Sequence, residues 1–145
     1  MMFEHILIPT DGSELSLQAV RKGLALAKAL GAKATAVTVQ PLLTDFIVEG
    51  VTINVSDTDR RQMHDEFGHR LDAARKEAAD QGIALETVQV ESREPWRAVI
   101  EVAERVGADL IVMASHGRRG VSALVLGSET QKLLTHSKVP VLVYR

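Results

Sequence analysis

Short apolar runs alternate along the chain with longer segments in which apolar residues recur every three or four positions. The short runs lie at residues 5–9, 34–40, 84–91, 108–114 and 139–145. Runs of this length between turn residues predict buried β-strands, whereas recurrence every three or four positions predicts helices. In the third run polar residues alternate with apolar ones, so we expect that strand near an edge of the sheet.

The predicted helices begin and end at residues suited to helix termini. Glycine takes the left-handed conformation that ends a helix, and a proline in the first helical position loses no hydrogen bond. The helices run from Ser13 to Gly31, up to Gly82, from Pro95 to Gly107, and for a short stretch after Ser128. Strands that alternate with helices need crossover connections, which require a mostly parallel sheet covered on both faces. We therefore predict an α/β fold: one doubly wound, Rossmann-like domain over residues 1–145, with a five-stranded parallel sheet and helices on both faces.

Residues 41–57, between the second strand and the second helix, depart from this regular order. The segment is rich in apolar residues and long for a connection. We expect it to pack as a lid, on a partner subunit or on the domain itself.

Composition narrows the classes of function. The 17 basic and 19 acidic residues nearly balance, which argues against a general binder of nucleic acid or membrane surfaces. The chain has no cysteine, so disulfides, thiolate catalysis and cysteine-ligated metals are excluded. The first apolar run is too short to span a membrane and lacks the basic flank of a signal peptide, so we expect a cytoplasmic protein.

The first strand runs into a candidate ligand-binding residue, Asp11. In an open parallel sheet, ligands bind beyond the carboxyl ends of the strands, where the strand order reverses. The Asp11 carboxylate could accept hydrogen bonds there from a ribose hydroxyl or a base amine. Alternatively it caps the first helix, with Glu14 completing a D-x-x-E capping box, and on local grounds we favour this second interpretation.

The fourth strand runs into a glycine-rich loop, "ASHGRRGVSALVLGSET". Gly117 and Gly120 let the backbone approach a ligand closely, and Arg118 and Arg119 offer cationic donors suited to phosphate oxygens. The spacing favours a phosphate site slightly over an ordinary connection with solvated arginines. The loop has neither the G-x-x-x-x-G-K-[ST] motif of P-loop NTPases nor, after the first strand, the G-x-G-x-x-G motif of dinucleotide folds.

The helix after this loop begins with a second candidate anion-binding feature. Ser128 and Gln131 predict an S-x-x-Q capping box at its start. The free N–H groups of a first helical turn, together with the positive end of the helix dipole, attract anions. A phosphate chain cradled between the loop and this helix is the resulting expectation.

From end to end the chain resembles the universal stress proteins. Residues 5–20, "HILIPTDGSELSLQAV", are similar to that family's first strand and helix, and the chain from its fourth strand onward is similar to the family's nucleotide loop, last helix and final strand. Nucleotide-binding members carry G-x-x-G, nine residues, and then G-S or G-T. Here nine residues separate Gly117 from Gly127-Ser128, and Ala114 takes the place of the first glycine. Alanine adds one methyl group, which an ordinary backbone conformation tolerates.

The resemblance implies an ATP site, with Mg²⁺ bound through phosphate oxygens. Glu129 would bring negative charge to the phosphates, so its side chain is expected to point away or to help hold the cation. To the contacts that the resemblance implies we add Arg118, because a cationic side chain suits phosphate oxygens. The implied contacts are Pro9, Thr10, Asp11 and Val39 for adenine and ribose, Met113 and Ala114 beside the nucleoside, and His116, Gly117, Gly127, Ser128, Glu129 and Thr130 around the phosphates.

No catalytic residue is indicated. A G-x-S-x-G nucleophile elbow is lacking, and His116 has no identifiable carboxylate partner, so a solvated or phosphate-facing histidine is favoured over an acid or base. His64, Asp65 and His69 suggest a metal site, but surface salt bridges are the better interpretation of their spacing. We expect a nucleotide holder with at most slow hydrolysis or autophosphorylation.

Two classes of function follow from the resemblance. The first is an ATP-binding stress-response or regulatory protein whose nucleotide state alters conformation or partners. The alternative is a dimeric interaction protein of the same family that works without nucleotide, and a slow ATPase is a weaker option. The resemblance also implies a homodimer through the last strand, residues 139–144, and an apolar terminal strand at a sheet edge would allow such pairing.

Overall fold

The computed structural model describes residues 2–116 and 126–145. The described elements are β1 (His5–Pro9), α1 (Glu14–Leu30), β2 (Lys33–Gln40), β3 (Phe46–Val48), β4 (Val51–Ile53), α2 (Asp57–Gln81), β5 (Glu86–Glu91), α3 (Pro95–Val106), β6 (Leu110–Ala114), α4 (Ser128–His136) and β7 (Val141–Tyr144). Five parallel strands form the main sheet in the order β5-β2-β1-β6-β7. The predicted α/β fold with a parallel sheet is therefore confirmed, and the third predicted strand, now β5, lies at an edge as expected.

Two apolar layers cover the faces of this sheet. Ile6 and Ile8 of β1 pack with residues of α1 and α2, whereas Leu7 packs with residues of α3 and α4. Successive side chains of a strand point to opposite faces, so one buried strand serves both layers. The chain passes from β1 to β2 and β5 on one side, and then returns to β6 and β7 on the other. The strand order therefore reverses between β1 and β6, where a crevice opens beyond the strand ends.

The helix ends lie close to the predicted positions. The Ser13 side chain accepts a hydrogen bond from the Ser16 N–H at the start of α1. Gly31, Gly82 and Gly107 follow α1, α2 and α3 with positive φ angles of 67°, 68° and 73°, as glycine stops require. Within residues 2–116 and 126–145, no helix is both long and apolar enough to cross a membrane.

Helix α1 lies unusually close to the sheet at Gly23. A Cβ atom built there would lie 2.7 Å from Ile8 Cδ1 and 3.5 Å from Val112 Cβ. Ile8 and Val112 are both fully buried, so neither can move aside cheaply in a close-packed core. The absence of a side chain at Gly23 therefore sets how closely α1 approaches the strands that frame the crevice.

The register of β1 against β6 is held at the start of both strands by Asp109. Its carboxylate accepts hydrogen bonds from the backbone N–H groups of Glu4, at 2.9 Å, and His5, at 3.0 Å. Burial acts to raise the pKa of Asp109, but these backbone hydrogen bonds outweigh it and hold the pKa below its usual 3.8. Fixing the register in this way also aligns the carboxyl ends of β1 and β6, where the crevice lies.

The apolar segment 41–57 contains a β-hairpin that is exposed on both faces. β3 and β4 pair antiparallel, with Phe46 opposite Ile53, and the turn residues Glu49 and Gly50 have φ angles of 50° and 78°, as a type I′ turn requires. All six strand residues are exposed, and Ile47 reaches 72%. The interpretation that this segment packs on the domain itself is therefore wrong for the hairpin, because its apolar residues stay between 40% and 72% exposed. A role as a lid or a partner contact stays a prediction.

Candidate functional site

A pocket opens at the carboxyl ends of β1, β2 and β6, and the first turns of α3 and α4 form its side wall. This is the crevice at which the strand order reverses. The predicted site residues that line it are Pro9, Thr10, Asp11, Val39, Met113, Ala114, His116, Glu129 and Thr130. Gly127 and Ser128 lie at the start of α4 and are not among the lining residues. Gly117 and Arg118 lie outside the described residues, as do Gly120 and Arg119.

Sequence reasoning missed part of the wall. Val37 could have been found, because it lies two positions from Val39 in a strand and so shares its face. Trp96 and Val99 of α3 pack against the core and line the pocket as well. The lining residues that were not predicted are Ser16, Val37, Pro95, Trp96, Val99 and Leu133.

The turn between β1 and α1 differs from the predicted capping box. Ser13, not Asp11, is the residue that caps α1, and Asp11 Oδ1 accepts a hydrogen bond from the Ser13 N–H at 2.9 Å. Gly12, with a φ angle of 78°, turns the chain so that the helix begins later. The Glu14 carboxylate lies 3.5 Å from Arg21 Nη1 instead. The D-x-x-E interpretation is therefore wrong, and Asp11 both fixes the turn and lines the pocket.

Thr10 supports the same turn from below. Its hydroxyl lies 3.0 Å from Ser16 Oγ and accepts a hydrogen bond from the Gly12 N–H at 3.2 Å. Its own N–H donates to the Val37 carbonyl at 2.9 Å. Because Thr10 is buried and its hydroxyl is engaged within the turn, its side chain orders the pocket floor.

The start of α4 also differs from the prediction. Gly127 is the residue before the first helical turn and, having no side chain, makes no side-chain capping hydrogen bond. Gln131 Nε2 donates instead to the Leu126 carbonyl at 2.8 Å, so the Ser128–Gln131 capping box is wrong. The Gly127 N–H donates to the Ser115 carbonyl at 2.8 Å, which holds α4 against the end of β6. The first N–H groups of a helix have no partner within it, and here they begin beside the pocket.

The side chain of Thr130 fastens α4 to β6. Its hydroxyl lies 3.2 Å from the Ala114 carbonyl and 3.0 Å from the Ser115 carbonyl, and the residue is only 2% exposed. Any contact of Thr130 with a phosphate would therefore fall to its backbone. Ala114 itself is buried in a strand, and Glu49 is the only non-glycine residue of the described chain with a positive φ. Alanine in place of glycine consequently causes no backbone strain here.

Glu129 reaches from α4 to α3. Its Oε2 accepts a hydrogen bond from the Trp96 N–H at 2.9 Å, and its Oε1 lies 4.0 Å from Lys132 Nζ. Trp96, the only tryptophan of the chain, stacks on His136 with ring centroids 4.6 Å apart. The two helix starts that wall the pocket are thus joined by one carboxylate.

Metal chemistry gains no support from the histidines of α2. His69 Nδ1 lies 3.0 Å from Asp72 Oδ2, and His64 Nδ1 lies 3.2 Å from Gln89 Nε2. Hydrogen bonds from His69 and Arg75 lower the pKa of Asp72 below its usual 3.8. In the part of the chain that the structure describes, no three acidic or histidine side chains are grouped so that they could hold a metal ion. His69 therefore contacts a carboxylate on the helix surface, as the surface interpretation predicts, but that carboxylate belongs to Asp72 rather than Asp65.

Comparison with known proteins adds a family and a set of structures. The profile of the Universal stress protein family matches residues 2–145. The chain is 31% identical to universal stress protein MJ0531 of Methanocaldococcus jannaschii, covering 99% of this chain and 83% of that protein. A universal stress protein in complex with cAMP aligns with a TM-score of 0.75 at 24% identity, over 100% of this chain and 99% of its own. The universal stress protein from Archaeoglobus fulgidus in complex with dAMP aligns with a TM-score of 0.65 at 20% identity, over 100% of both chains. At these identities the two solved structures show a shared fold.

Proposed function

The chain belongs to the universal stress protein family, and from this premise we propose that it is a stress-response regulatory protein that binds an adenine nucleotide. The observation that carries the proposal is the pocket between β1 and β6. It combines the Asp11 carboxylate, apolar walls and the start of α4 at one opening. A nucleotide needs these three features for its ribose, its base and its phosphates. The cAMP and dAMP complexes of the two structural neighbours support the same class of ligand.

In this proposal each wall of the pocket contacts a different part of the nucleotide. Val39 and Met113, both half-buried, flank the adenine. Asp11 Oδ1 is engaged with the Ser13 N–H, and a carboxylate has further lone pairs with which to accept a ribose hydroxyl. The backbone N–H groups at the start of α4 bind the phosphate nearest the ribose. With ATP, Mg²⁺ would be held by phosphate oxygens, which commonly supply its ligands.

The bound nucleotide is proposed to act as a signal, not as a substrate of rapid chemistry. The Thr130 hydroxyl is engaged with two backbone carbonyls, so it is poorly placed to activate a water. A nucleotide bound in the pocket would instead stabilise the contact between α3 and α4. It would thereby change the surface to which partner proteins bind. The alternatives are an interaction protein that works without nucleotide and a slow ATPase.

The proposal is tested by calorimetric titration of nucleotide-stripped protein with AMP, cAMP and ATP. Saturable binding is expected, and Val39→Trp is expected to weaken it about tenfold, equivalent to about 1.4 kcal/mol, because the indole enters the space of the base. Val90→Trp is the matched control. Val90 is paired with Val39 on the neighbouring strand and packs against the same core, but it does not line the pocket. Absence of binding to folded wild-type protein would contradict the proposal and favour the nucleotide-independent alternative.

We also propose that two copies associate through β7. This strand lies at an edge of the sheet. The carbonyls of Pro140 and Tyr144 accept hydrogen bonds from β6, so by alternation the N–H of Val143 points away from β6. An outward row of unpaired N–H and C=O groups can pair with a second copy of the strand.

Light scattering after size exclusion is expected to give twice the monomer mass at micromolar concentration. Val143→Pro is expected to give the monomer mass, because proline removes an outward donor and is tolerated at a strand edge. Far-ultraviolet circular dichroism checks that the variant stays folded. A wild-type protein that elutes as a monomer, or a folded variant that stays dimeric, would rule out pairing through β7.

A further inference from the structure

Helix α3 begins without a cap from its own sequence. Glu94, the residue before its first turn, makes no capping hydrogen bond through its side chain, and that side chain pairs with Arg97 at 2.8 Å. Pro95 has no N–H, and the Arg97 N–H donates to the Glu94 carbonyl at 3.1 Å. The Trp96 N–H is therefore the donor of this turn that needs a partner from elsewhere, and Glu129 of α4 supplies it.

Glu129 also lies in the first turn of α4, so its charge compensates the positive ends of two helix dipoles together. These helix starts form the wall beside which the phosphates of a nucleotide are proposed to bind. The Glu129 carboxylate lowers the positive potential of the N–H groups at these helix starts. An anion that binds there is therefore attracted less strongly. Among the described residues that line the pocket, Asp11 and Glu129 are acidic and none is lysine or arginine.

We propose that Glu129 is a specificity-determining residue that disfavours adenine ligands in proportion to their negative charge. This inference rests on the proposed function, because it concerns the ligand of the same pocket. The preferred class is an adenine nucleoside or monophosphate of low charge, and ATP is penalised most. The loss of affinity that the Glu129 carboxylate causes is measured by comparing the wild type with Glu129 variants. Arg118 and Arg119 are present in all of these proteins, so their contribution is common to both sides of the comparison.

The hydrogen bond to Trp96 explains why the charge stays in place. A carboxylate with free rotation would swing toward solvent when a phosphate approached. Here the Oε2 atom is held at 2.9 Å by a backbone donor of a different helix, and hydrogen bonds to ionised groups are the stronger ones. The carboxylate is therefore expected to stay beside the ligand. Because the side chain is partly exposed, water and salt weaken its repulsion of a phosphate.

The test titrates adenosine, cAMP, AMP and ATP, in order of rising negative charge, into nucleotide-stripped protein at low ionic strength without divalent cations. Glu129→Gln keeps an oxygen that can accept from the Trp96 N–H but removes the charge. Its affinity for ATP relative to adenosine is expected to rise about fivefold, with intermediate changes for cAMP and AMP. Adenosine itself should bind within about twofold of wild type, since an uncharged ligand does not sense the carboxylate. Quenching of Trp96 fluorescence gives a second measure of occupancy.

Glu94→Gln is the matched control, because it removes a carboxylate from the start of α3 that does not line the pocket. Its ratio of ATP to adenosine affinity is expected to match the wild type. Glu129→Ala removes the hydrogen bond as well, and it should raise the ratio as Glu129→Gln does while lowering stability. An unchanged ratio in both Glu129 variants, with adenosine still bound, would overturn this inference alone. If neither adenosine nor ATP bound the folded wild-type protein, the proposed function would fail and this inference with it.

Discussion

Replacement of Gly23 by valine is expected to lower the free energy of unfolding by about 3 kcal/mol, the upper range for overpacking a core. The reason is distance, since a Cβ at this position would lie 2.7 Å from Ile8 Cδ1. Ile8 is fully buried, so either α1 must move off the sheet or Ile8 must leave its rotamer. The melting temperature should fall by about 10 °C for a chain of this size.

Gly68→Ala is the control that separates packing from helix propensity. Gly68 also lies within a helix, but an added Cβ would meet only Gln89 Oε1, the end of a side chain, at 3.3 Å. Alanine forms helices better than glycine by about 1 kcal/mol, so this variant should be as stable as the wild type or more so. Chemical denaturation followed by circular dichroism measures both variants. Equal effects of the two substitutions would show that α1 does not depend on close approach at Gly23.

Replacement of Gly127 by valine is expected to weaken AMP binding about 50-fold, as loss of one charge-assisted hydrogen bond would. The φ angle of Gly127 is −61°, so valine meets no backbone strain. The obstacle is contact, because a Cβ would lie 3.1 Å from the Ser115 carbonyl oxygen and 3.3 Å from His116 Cα. Backbone atoms cannot rotate away, so the first turn of α4 must shift and carry its N–H groups out of reach of the phosphate.

Calorimetric titration with AMP and adenosine measures this effect, and adenosine should lose much less affinity because it has no phosphate. Gly107→Ala is the control for general destabilisation. Its φ angle of 73° costs a residue with a side chain about 1 kcal/mol, and it lies at the end of α3 away from the pocket. AMP binding should be unchanged in that variant. Retention of wild-type affinity by Gly127→Val would show that the start of α4 does not bind the phosphate.

The two capping boxes illustrate where local rules stop. Asp11 and Ser128 each fit a capping pattern, yet Ser13 and Gly127 are the residues that precede the helices. At the first site the positive φ of Gly12 delays the helix. At the second, the hydrogen bond from the Gly127 N–H to the Ser115 carbonyl fixes where α4 begins. A four-residue capping pattern shows which nearby side chains could hydrogen-bond the start of a helix. It does not show whether a residue far away in the sequence makes a hydrogen bond there instead.

The wall of the pocket shows the same limit. Val39 and Met113 were expected there from the family resemblance, and both line it. Trp96 also lines it but was not expected there, because helical spacing indicates that a side chain is buried without showing which residues it contacts. That Glu129 meets the Trp96 N–H across 33 positions of sequence follows from the packing of α3 beside α4.

Hydrophobic periodicity and glycine stops were sufficient to predict the number of strands in the main sheet, their parallel arrangement and the ends of three helices. These features depend on the side chain and the φ angle of each residue and its near neighbours, so they can be read along the chain. Two features could not be predicted from the sequence in this way. They are the exposure of the β3–β4 hairpin and the hydrogen bond through which Glu129 of α4 contacts the start of α3. They depend on distances between residues far apart in sequence, and those distances exist only once the crossovers have packed the helices against the sheet.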